Sequence, residues 1–206
     1  MTKKCLGLVS LFSLVTVSLF SSIVFGEELD AKKTYWRNGN LKTEIHFKDG
    51  VKDGLYTFWY ESGKKMAELS FRKGKQDGLS TEWYESGAKK EEWQYKNGKR
   101  EGNSTSWYAS GRRKDEAFFK NDKLEGVATN LYETGVKRNE THFKDGEVDG
   151  LLIEWYPSGK KLLEQNFING KLDGIAYEWY ESGVMKREMK VKDGKIIYDE
   201  HFVDTE

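Results

Sequence analysis

Glutamate recurs once in every 24 residues, and it is the ionisable residue whose repetition most directly suggests chemistry. Lys or Arg stands two residues before most of these glutamates. A ladder of carboxylates could bind a cation or a basic partner. The same side chains also suit cross-strand pairs with lysine or hydrogen bonds from tyrosine, each contributing about 0.2–1 kcal/mol. We favour the second interpretation, because a residue present in every repeat usually keeps the repeat in register. The glutamates are Glu44, Glu68, Glu92, Glu116, Glu140, Glu164 and Glu188, and the basic residues are Lys42, Lys90, Lys114, Arg138 and Lys186.

A Trp-Tyr pair repeats with the same period, and a row of exposed rings could dock a peptide, a glycan or a lipid tail. The alternative is structural, with each ring packing over a neighbouring strand glycine. Leu131-Tyr132 replaces the pair in the fourth copy, and Tyr35-Trp36 occupies its place in a leading half-unit. The candidate binding residues are Trp59, Trp83, Trp107, Trp155 and Trp179, together with Tyr60, Tyr84, Tyr108, Tyr156 and Tyr180.

Other residue types give little support for catalysis. His46 and His142 occupy the same position four repeats apart, which places them about 38 Å from each other in a sheet of consecutive strands. They therefore cannot share a metal or a substrate within one chain. Paired carboxylates such as Glu91-Glu92 are unsheltered, and the glycines do not open phosphate-binding loops. We expect no enzymatic activity, no bound metal and no cofactor.

Glycine spacing defines the elements that carry these residues. Three glycine columns, each with a 24-residue period, contain nineteen of the twenty-one glycines. Such periodicity indicates one supersecondary unit stacked on copies of itself. Each unit reads as two short strands separated by glycine-containing turns, which predicts an all-β fold. The expected architecture is a single elongated, twisted antiparallel sheet of thirteen or fourteen strands built from consecutive β-hairpins.

The turn after each Trp-Tyr pair has a specific predicted geometry. A three-residue loop such as Glu61-Ser62-Gly63 forms a type I turn closed by a left-handed glycine, which explains the invariant glycine at this position. The turn glycines are Gly63, Gly87, Gly111, Gly135, Gly159 and Gly183. This register predicts that one face of the hairpin carries Leu55, Thr57, Trp59, Ala67, Leu69 and Phe71.

The order Gly-x(4)-Trp-Tyr-x-x-Gly, seen in residues 78–102 and 150–174, resembles the MORN repeat. It is most similar to the bacterial MORN variant found in proteins often called YwqK-type antitoxins. The resemblance covers residues 35–198 as a leading half-unit and six full units. It implies an extended antiparallel sheet of hairpins that acts as an interaction module. The fourth unit, residues 127–149, lacks the tryptophan, and we expect a bend or a weaker region there.

The N-terminal residues differ from the repeats. Lys3 and Lys4 precede an apolar, serine-rich run, and Val24-Phe25-Gly26 offers small residues before acidic Glu27. This pattern predicts a secretory signal peptide over residues 1–26, with an uncleaved membrane anchor as the alternative. Residues 27–34 form a short lead, residues 35–198 the repeat array, and residues 196–206 a capping strand and tail. The only cysteine, Cys5, lies in the signal.

These observations predict an exported protein of the periplasm, the cell envelope or the medium of a bacterium. Acidic and basic residues balance at 34 each, which argues against a nucleic-acid partner. Membrane contact is expected only through the signal segment. The leading hypothesis is a non-enzymatic scaffold that binds a protein or a surface polymer along one sheet face. The alternatives are an antitoxin or immunity protein that neutralises a toxin, and an envelope component that associates with itself.

Overall fold

The computed structural model describes residues 30–205, and these residues form one open antiparallel β-sheet with seventeen strand segments and no helix. The predicted all-β hairpin array is therefore confirmed. The strand count is higher than predicted for two reasons. The sheet begins at Asp30, ahead of the expected start of the array, and two strands are each interrupted at one residue, Glu125 and Asp173. The predicted signal peptide lies outside the described residues.

The strands follow one another with short connections. The first nine are β1 (Asp30–Tyr35), β2 (Leu41–Lys48), β3 (Val51–Trp59), β4 (Lys65–Arg72), β5 (Lys75–Trp83), β6 (Lys89–Lys96), β7 (Lys99–Trp107), β8 (Arg113–Lys120) and β9 (Lys123–Leu124). The remaining eight are β10 (Gly126–Leu131), β11 (Lys137–Lys144), β12 (Glu147–Trp155), β13 (Lys161–Ile168), β14 (Lys171–Leu172), β15 (Gly174–Trp179), β16 (Met185–Lys192) and β17 (Lys195–His201).

Each strand pairs with its neighbours in sequence, so the sheet grows in one direction along the chain. β8 pairs with both β9 and β10, and β13 pairs with both β14 and β15, because each of those pairs is one interrupted strand. β1 pairs with β2, and β17 pairs with β16. Within the described residues, β1 and β17 are therefore the two edges of the sheet.

Two kinds of turn alternate at the two ends of the strands. At one end, the Gly63 amide donates to the Tyr60 carbonyl over 2.9 Å, and Gly63 has a φ of 83°. This is the predicted three-residue loop with a left-handed glycine. At the other end, Lys73 and Gly74 both have positive φ, as a two-residue type I′ turn requires. Asp122 replaces glycine in that column and still adopts a φ of 69°.

A bulge beside each three-residue loop changes which side chains share a face. Trp59 pairs with Lys65, but Phe58 pairs with Ala67, so Met66 is an extra residue in its strand. The same shift occurs in the later hairpins of this type. The predicted grouping of six side chains is therefore wrong, because one inserted residue turns the rest of the strand over.

The bulge divides the sheet into two distinct faces. Tyr56 lies opposite Leu69 on the side that we call the packed face, where the Tyr56 and Phe71 ring centres are 4.6 Å apart. Leu55, Thr57 and Trp59 alternate onto the other side, which we call the tryptophan face.

Cross-strand pairs with the packed-face aromatic residues also bear on the glycine column formed by Gly54, Gly78, Gly102, Gly126, Gly150 and Gly174. Gly54 lies directly opposite Phe71, and Gly102 lies opposite Phe119. At Gly102 a Cβ atom would approach the Cβ of Gln94 to 3.2 Å, and the φ of 113° is unsuited to other residues. An aromatic residue facing a strand glycine is a known device for stabilising such positions. The rings opposite Gly54 and Gly102 are thus Phe71 and Phe119, and not the rings of the Trp-Tyr pairs for which the packing was expected.

The buried hydrophobic residues lie on the packed face, whereas Thr57 and Thr81 are buried on the tryptophan face. Tyr56, Ala67, Ala176, Met189 and Val191 are the buried hydrophobic residues of the packed face among those described. Few hydrophobic side chains are thus fully removed from water, so hydrogen bonds between strands and repeats carry a large share of the structure.

The fourth unit keeps the pairing of its neighbours. β10 joins β11 through the same register as the other hairpins, and the break at Glu125 has a counterpart at Asp173 in the regular sixth unit. The amides of both residues still donate across the sheet over 2.9 Å, to the carbonyls of Phe118 and Asn166. The strand break is therefore not a special feature of the unit that lacks tryptophan.

Replacing Gly111 by valine should destabilise the fold through backbone strain alone. Gly111 has a φ of 84°, and a Cβ there would meet nothing within 4 Å. The left-handed conformation costs an ordinary residue about 1–2 kcal/mol, so we expect a lower urea midpoint with an unchanged m-value. Gly111→Asn is the matched control, because asparagine tolerates this conformation. Equal midpoints for the two variants would refute the strain explanation.

Candidate binding face

The tryptophan face is organised in columns that run across the strands. Thr57 of β3 lies opposite Glu68 of β4, and Glu68 in turn lies opposite Thr81 of β5. The alternation continues through Glu92 and Thr105. The repeating glutamates therefore stand in one row with threonines, on the same side of the sheet as the tryptophans.

Five of the seven glutamates of this row, one per repeat from Glu68 to Glu164, are paired with a basic residue in their own strand, three positions earlier. Glu44 instead pairs with Lys33 of β1, and Glu188 accepts the Tyr198 hydroxyl. Lys65 Nζ lies 2.5 Å from Glu68 Oε2, and the equivalent distances for Lys89–Glu92 and Lys161–Glu164 are also 2.5 Å. The bulge brings these two residues together. The interpretation of the glutamates as ion-pairing residues is supported, but the partner is not the expected one. The residues two positions before glutamate contact other groups.

Those other basic residues belong to the packed face. Lys90 Nζ lies 3.2 Å from Glu82, and Lys186 Nζ lies 2.6 Å from Glu178. Hydrogen bonding to the glutamate raises the pKa of both lysines above the ordinary value. The two basic columns of a repeat thus point to opposite sides of the sheet. On the packed side Lys90 and Lys186 pair with carboxylates, whereas Arg138 lies over the Tyr132 ring.

The glutamate row does not assemble a metal centre. Among residues 30–205, no group of three or more His, Cys, Asp or Glu side chains converges in a way that could hold a metal ion. His46 and His142 lie on β2 and β11 and are not brought together, and His46 Nδ1 lies 2.8 Å from the carbonyl oxygen of Leu55. His201 is beside Asp199 at the far edge, at 3.3 Å.

Lysine also links each repeat to the tryptophan of the next one. Lys65 Nζ lies 5.8 Å from the centre of the Trp83 ring, and Lys89 Nζ lies 5.5 Å from that of Trp107. Lys137 and Lys161 cover Trp155 and Trp179 in the same way. The five predicted tryptophans are half-buried on this face. Cation–π contacts of this kind contribute about 0.5–1 kcal/mol at exposed sites.

The tyrosines of the Trp-Tyr pairs have a different position. The Tyr60 hydroxyl donates to the Trp83 carbonyl over 2.8 Å, 23 residues further along. The same bond is formed in every later repeat, from Tyr84, Tyr108, Tyr132, Tyr156 and Tyr180. In the leading half-unit Trp36 donates its ring N–H to the Trp59 carbonyl over 3.0 Å. This column therefore joins consecutive hairpins, and its rings form a seam between them.

A second set of bonds joins consecutive hairpins at the opposite end of the strands. Asp53 accepts the Lys73 amide over 3.0 Å, and the Gly74 amide donates to the Lys52 carbonyl over 2.8 Å. The equivalent carboxylate bonds involve Asp77, Glu101, Glu125 and Asp173. The sequence carries a signal for these bonds, because an acidic residue precedes every glycine of the column that runs from Gly54 to Gly174.

The acid at the last of these turns is electrostatically distinct. The hydrogen bond from the Asp193 amide holds the pKa of Asp173 below its ordinary value, and Lys192 acts in the same direction. The Arg187 guanidinium likewise lowers the pKa of Asp199 in the final hairpin. The folded protein therefore favours the charged form of both carboxylates.

Sequence reasoning also missed an exposed apolar column on the tryptophan face. In each repeat one residue follows the strand glycine of the column that runs from Gly54 to Gly174. This residue is apolar in five of six repeats and projects into solvent. The members of the apolar column, Leu55, Leu79, Val127, Leu151 and Ile175, are 39–47% exposed. The predicted grouping placed Leu55 beside Phe71, and the bulge is what separates them.

The column is interrupted in the third unit, where Asn103 replaces the apolar residue. Its cross-strand partner Phe118 is 41% exposed. A depression of about 430 Å³ lies here, lined by residues that include Arg113, Val127 and Thr129. The tryptophan face is thus continuous but not uniform.

Comparison with known proteins gives one match. A family model described as the MORN repeat variant fits five segments of the chain, which together cover just over half of it: 31–49, 52–73, 76–97, 148–169 and 172–193. No curated protein sequence matches the chain. In the described part, no helix is long and apolar enough to cross a membrane.

Removing one tyrosine hydroxyl should weaken the seam between two repeats. Tyr108→Phe leaves the Leu131 carbonyl without its 2.7 Å donor, and the loss of such a hydrogen bond costs about 0.5–1.5 kcal/mol. We expect a lower urea midpoint. Tyr35→Phe is the control, because that ring is 60% exposed at the sheet edge. Equal effects of the two substitutions would argue against the seam.

Acidification should remove the stabilising contribution of the Asp173 carboxylate. Because the folded-state pKa of Asp173 is depressed, its contribution is present above the ordinary carboxyl pKa and is lost as pH falls through the folded value. Asp173→Asn keeps an oxygen acceptor but removes the titration, so its thermal midpoint should fall less steeply from pH 5 toward pH 2 than that of the parent chain. Parallel curves would contradict this assignment.

Proposed function

Because the chain belongs to the MORN repeat variant family, whose hairpin array is a repeat scaffold, we propose that it is an exported, non-enzymatic scaffold that binds a protein or surface polymer through its tryptophan face. The whole described chain is used to build one sheet. Function in such a sheet is expected from its faces and edges, since repeat arrays present extended binding surfaces.

The exposed apolar column is the observation that carries this proposal. Leu79 is 47% exposed and Val127 is 45% exposed, and they lie on the same side as the tryptophans. A row of apolar side chains bordered by polar ones is characteristic of a binding surface. The packed face offers less, because its large side chains contact one another.

The charges of the tryptophan face favour a partner without strong net charge. Every glutamate from Glu68 to Glu164 has a basic partner within its own strand. The chain as a whole carries 34 basic and 34 acidic residues. A polyanion such as nucleic acid would find no basic surplus to bind. A protein surface or a neutral polymer suits a face of rings, apolar side chains and paired charges better.

Export is proposed from the N-terminal sequence alone. The basic Lys3-Lys4, the apolar run and the small residues before Glu27 are typical of a secretory signal. Absence of cysteine from the repeats is compatible with any redox environment. Export would place the partner in the envelope or the medium of a bacterium. A toxin that acts there is the alternative protein partner. Rescue of cells by co-expression would identify that case.

Variants that remove tryptophans from the row, or add one to it, test whether the row binds the partner. Immobilised chain is used to capture partners from an envelope extract of the producing cells, and affinity is then measured for the captured species. The Trp107→Ser, Trp155→Ser double variant should bind at least tenfold more weakly, since aromatic anchors at interfaces contribute about 2 kcal/mol or more each. Leu131→Trp fills the gap in the row and should strengthen binding.

Trp93→Ser is the matched control, because Trp93 lies opposite Ser80 on the packed face. All variants must retain the far-UV circular dichroism spectrum of the parent chain. Unchanged affinity in the double variant, or an equal loss in the Trp93 variant, would exclude the tryptophan face as the binding surface.

A further inference from the structure

The two edges of the sheet differ in a way that bears on self-association. An exposed strand edge presents unpaired amide and carbonyl groups, which can pair with another chain. Both β1 and β17 are exposed along their whole length. Proteins often protect such edges with charged side chains, lysine above all. The two edges differ in whether lysines interrupt the apolar residues of the strand.

β1 is protected by two lysines in its centre. Lys33 Nζ lies 3.1 Å from Glu44, and Lys32 Nζ lies 5.0 Å from the centre of the Phe47 ring. A strand arriving beside β1 would have to accommodate both ammonium groups next to its own side chains. Its remaining residues add no continuous apolar stretch, since Ala31 and Thr34 flank the lysines and Asp30 begins the strand.

β17 has the opposite character. Its first half contains Ile196-Ile197-Tyr198, three consecutive residues without charge, and both isoleucines are 60% exposed. Ile197 is an extra residue relative to β16, since Tyr198 pairs with Lys190 and Ile196 pairs with Val191. Each inner strand of the array, with an interrupted strand counted as one, pairs with a strand on both of its sides. β17 is the last strand, and among residues 30–205 the only strand with which it pairs in register is β16.

The strand is nevertheless held firmly in the sheet. Arg187 donates two hydrogen bonds to the Asp199 carboxylate, at 2.6 and 2.5 Å. The Tyr198 hydroxyl donates to Glu188, and the Phe202 amide bonds the Lys186 carbonyl over 2.9 Å. A strand fixed in this way is an ordered template, so little ordering entropy would be lost when a second strand pairs with it.

We propose that β17 is a dimerisation strand, and that its partner is β17 of a second copy of this chain, paired antiparallel. The charges of the strand are complementary to themselves in this direction. Lys195 stands at its beginning, and Glu200 stands near its end. Antiparallel pairing places the lysine of each copy near the acidic end of the other, whereas parallel pairing would bring like charges together.

Such a dimer closes on itself. A two-fold axis perpendicular to the sheet relates the copies, so the same strand is used on both sides and no free apolar edge remains. This axis keeps each face on its own side of the combined sheet. The two tryptophan faces therefore point the same way, which would allow a repetitive partner to be bound by both copies with increased avidity. The dimer does not depend on the proposed binding function.

Sedimentation velocity of the full-length chain over a range of concentrations tests the proposal. We expect a monomer–dimer equilibrium, and Ile197→Lys should raise the dimer dissociation constant by at least roughly tenfold. Ala31→Lys on β1 is the matched control and should leave the dimer unchanged. The N-terminal segment is common to all variants, so differences between them report on the edges.

A charge exchange tests the direction of pairing and does not depend on Ile197. Lys195→Glu and Glu200→Lys should each weaken the dimer, and the double variant should restore it, because only antiparallel self-pairing brings these two positions together. Circular dichroism verifies the fold of each variant. A monomer at all concentrations, species that grow beyond the dimer, sensitivity to Ala31→Lys instead of Ile197→Lys, or failure of the double variant to recover would overturn the proposal.

Discussion

Each hairpin of this protein is bonded to the next at both ends, and the rest of the structure depends on that constraint. At one end the Tyr60 hydroxyl reaches the Trp83 carbonyl. At the other, Asp53 and the Lys52 carbonyl receive the amides of the Lys73-Gly74 turn. A single-layer sheet has no second layer to bury its side chains against. Its stability is therefore a sum of bonds and contacts between neighbouring units, as in other linear repeats.

This requirement assigns most of the polar side chains to structure. The repeating glutamates pair with lysines, the lysines cover the tryptophans of the next repeat, and the acids before the glycines fix the type I′ turns. Little polar chemistry is left for a substrate. What remains reachable on the tryptophan face is an apolar column, exemplified by Leu79, together with half-buried indole rings. The proposed binding role along this face rests on these apolar side chains and rings.

The ends of such an array present a separate problem, because the bonds that join one unit to the next have no partner there. β1 meets this problem with Lys32 and Lys33 in its centre. β17 instead leaves Ile196 and Ile197 in solvent, while Arg187 and Glu188 of β16 hold the strand in place. The asymmetry between the two edges is a property of their side chains, since both edges offer the same backbone groups.

The 24-residue glycine period by itself determined the hairpin array, the three-residue loop at Gly63 and the family resemblance. These depend on local conformation, because a left-handed position selects glycine wherever it occurs. The distribution of side chains between the faces was decided only by the tertiary structure. One bulged residue, Met66, moves Leu55 away from Phe71 and brings Lys65 to Glu68. Whether a strand carries an extra residue depends on its pairing with the next strand, and no property of the single strand records it.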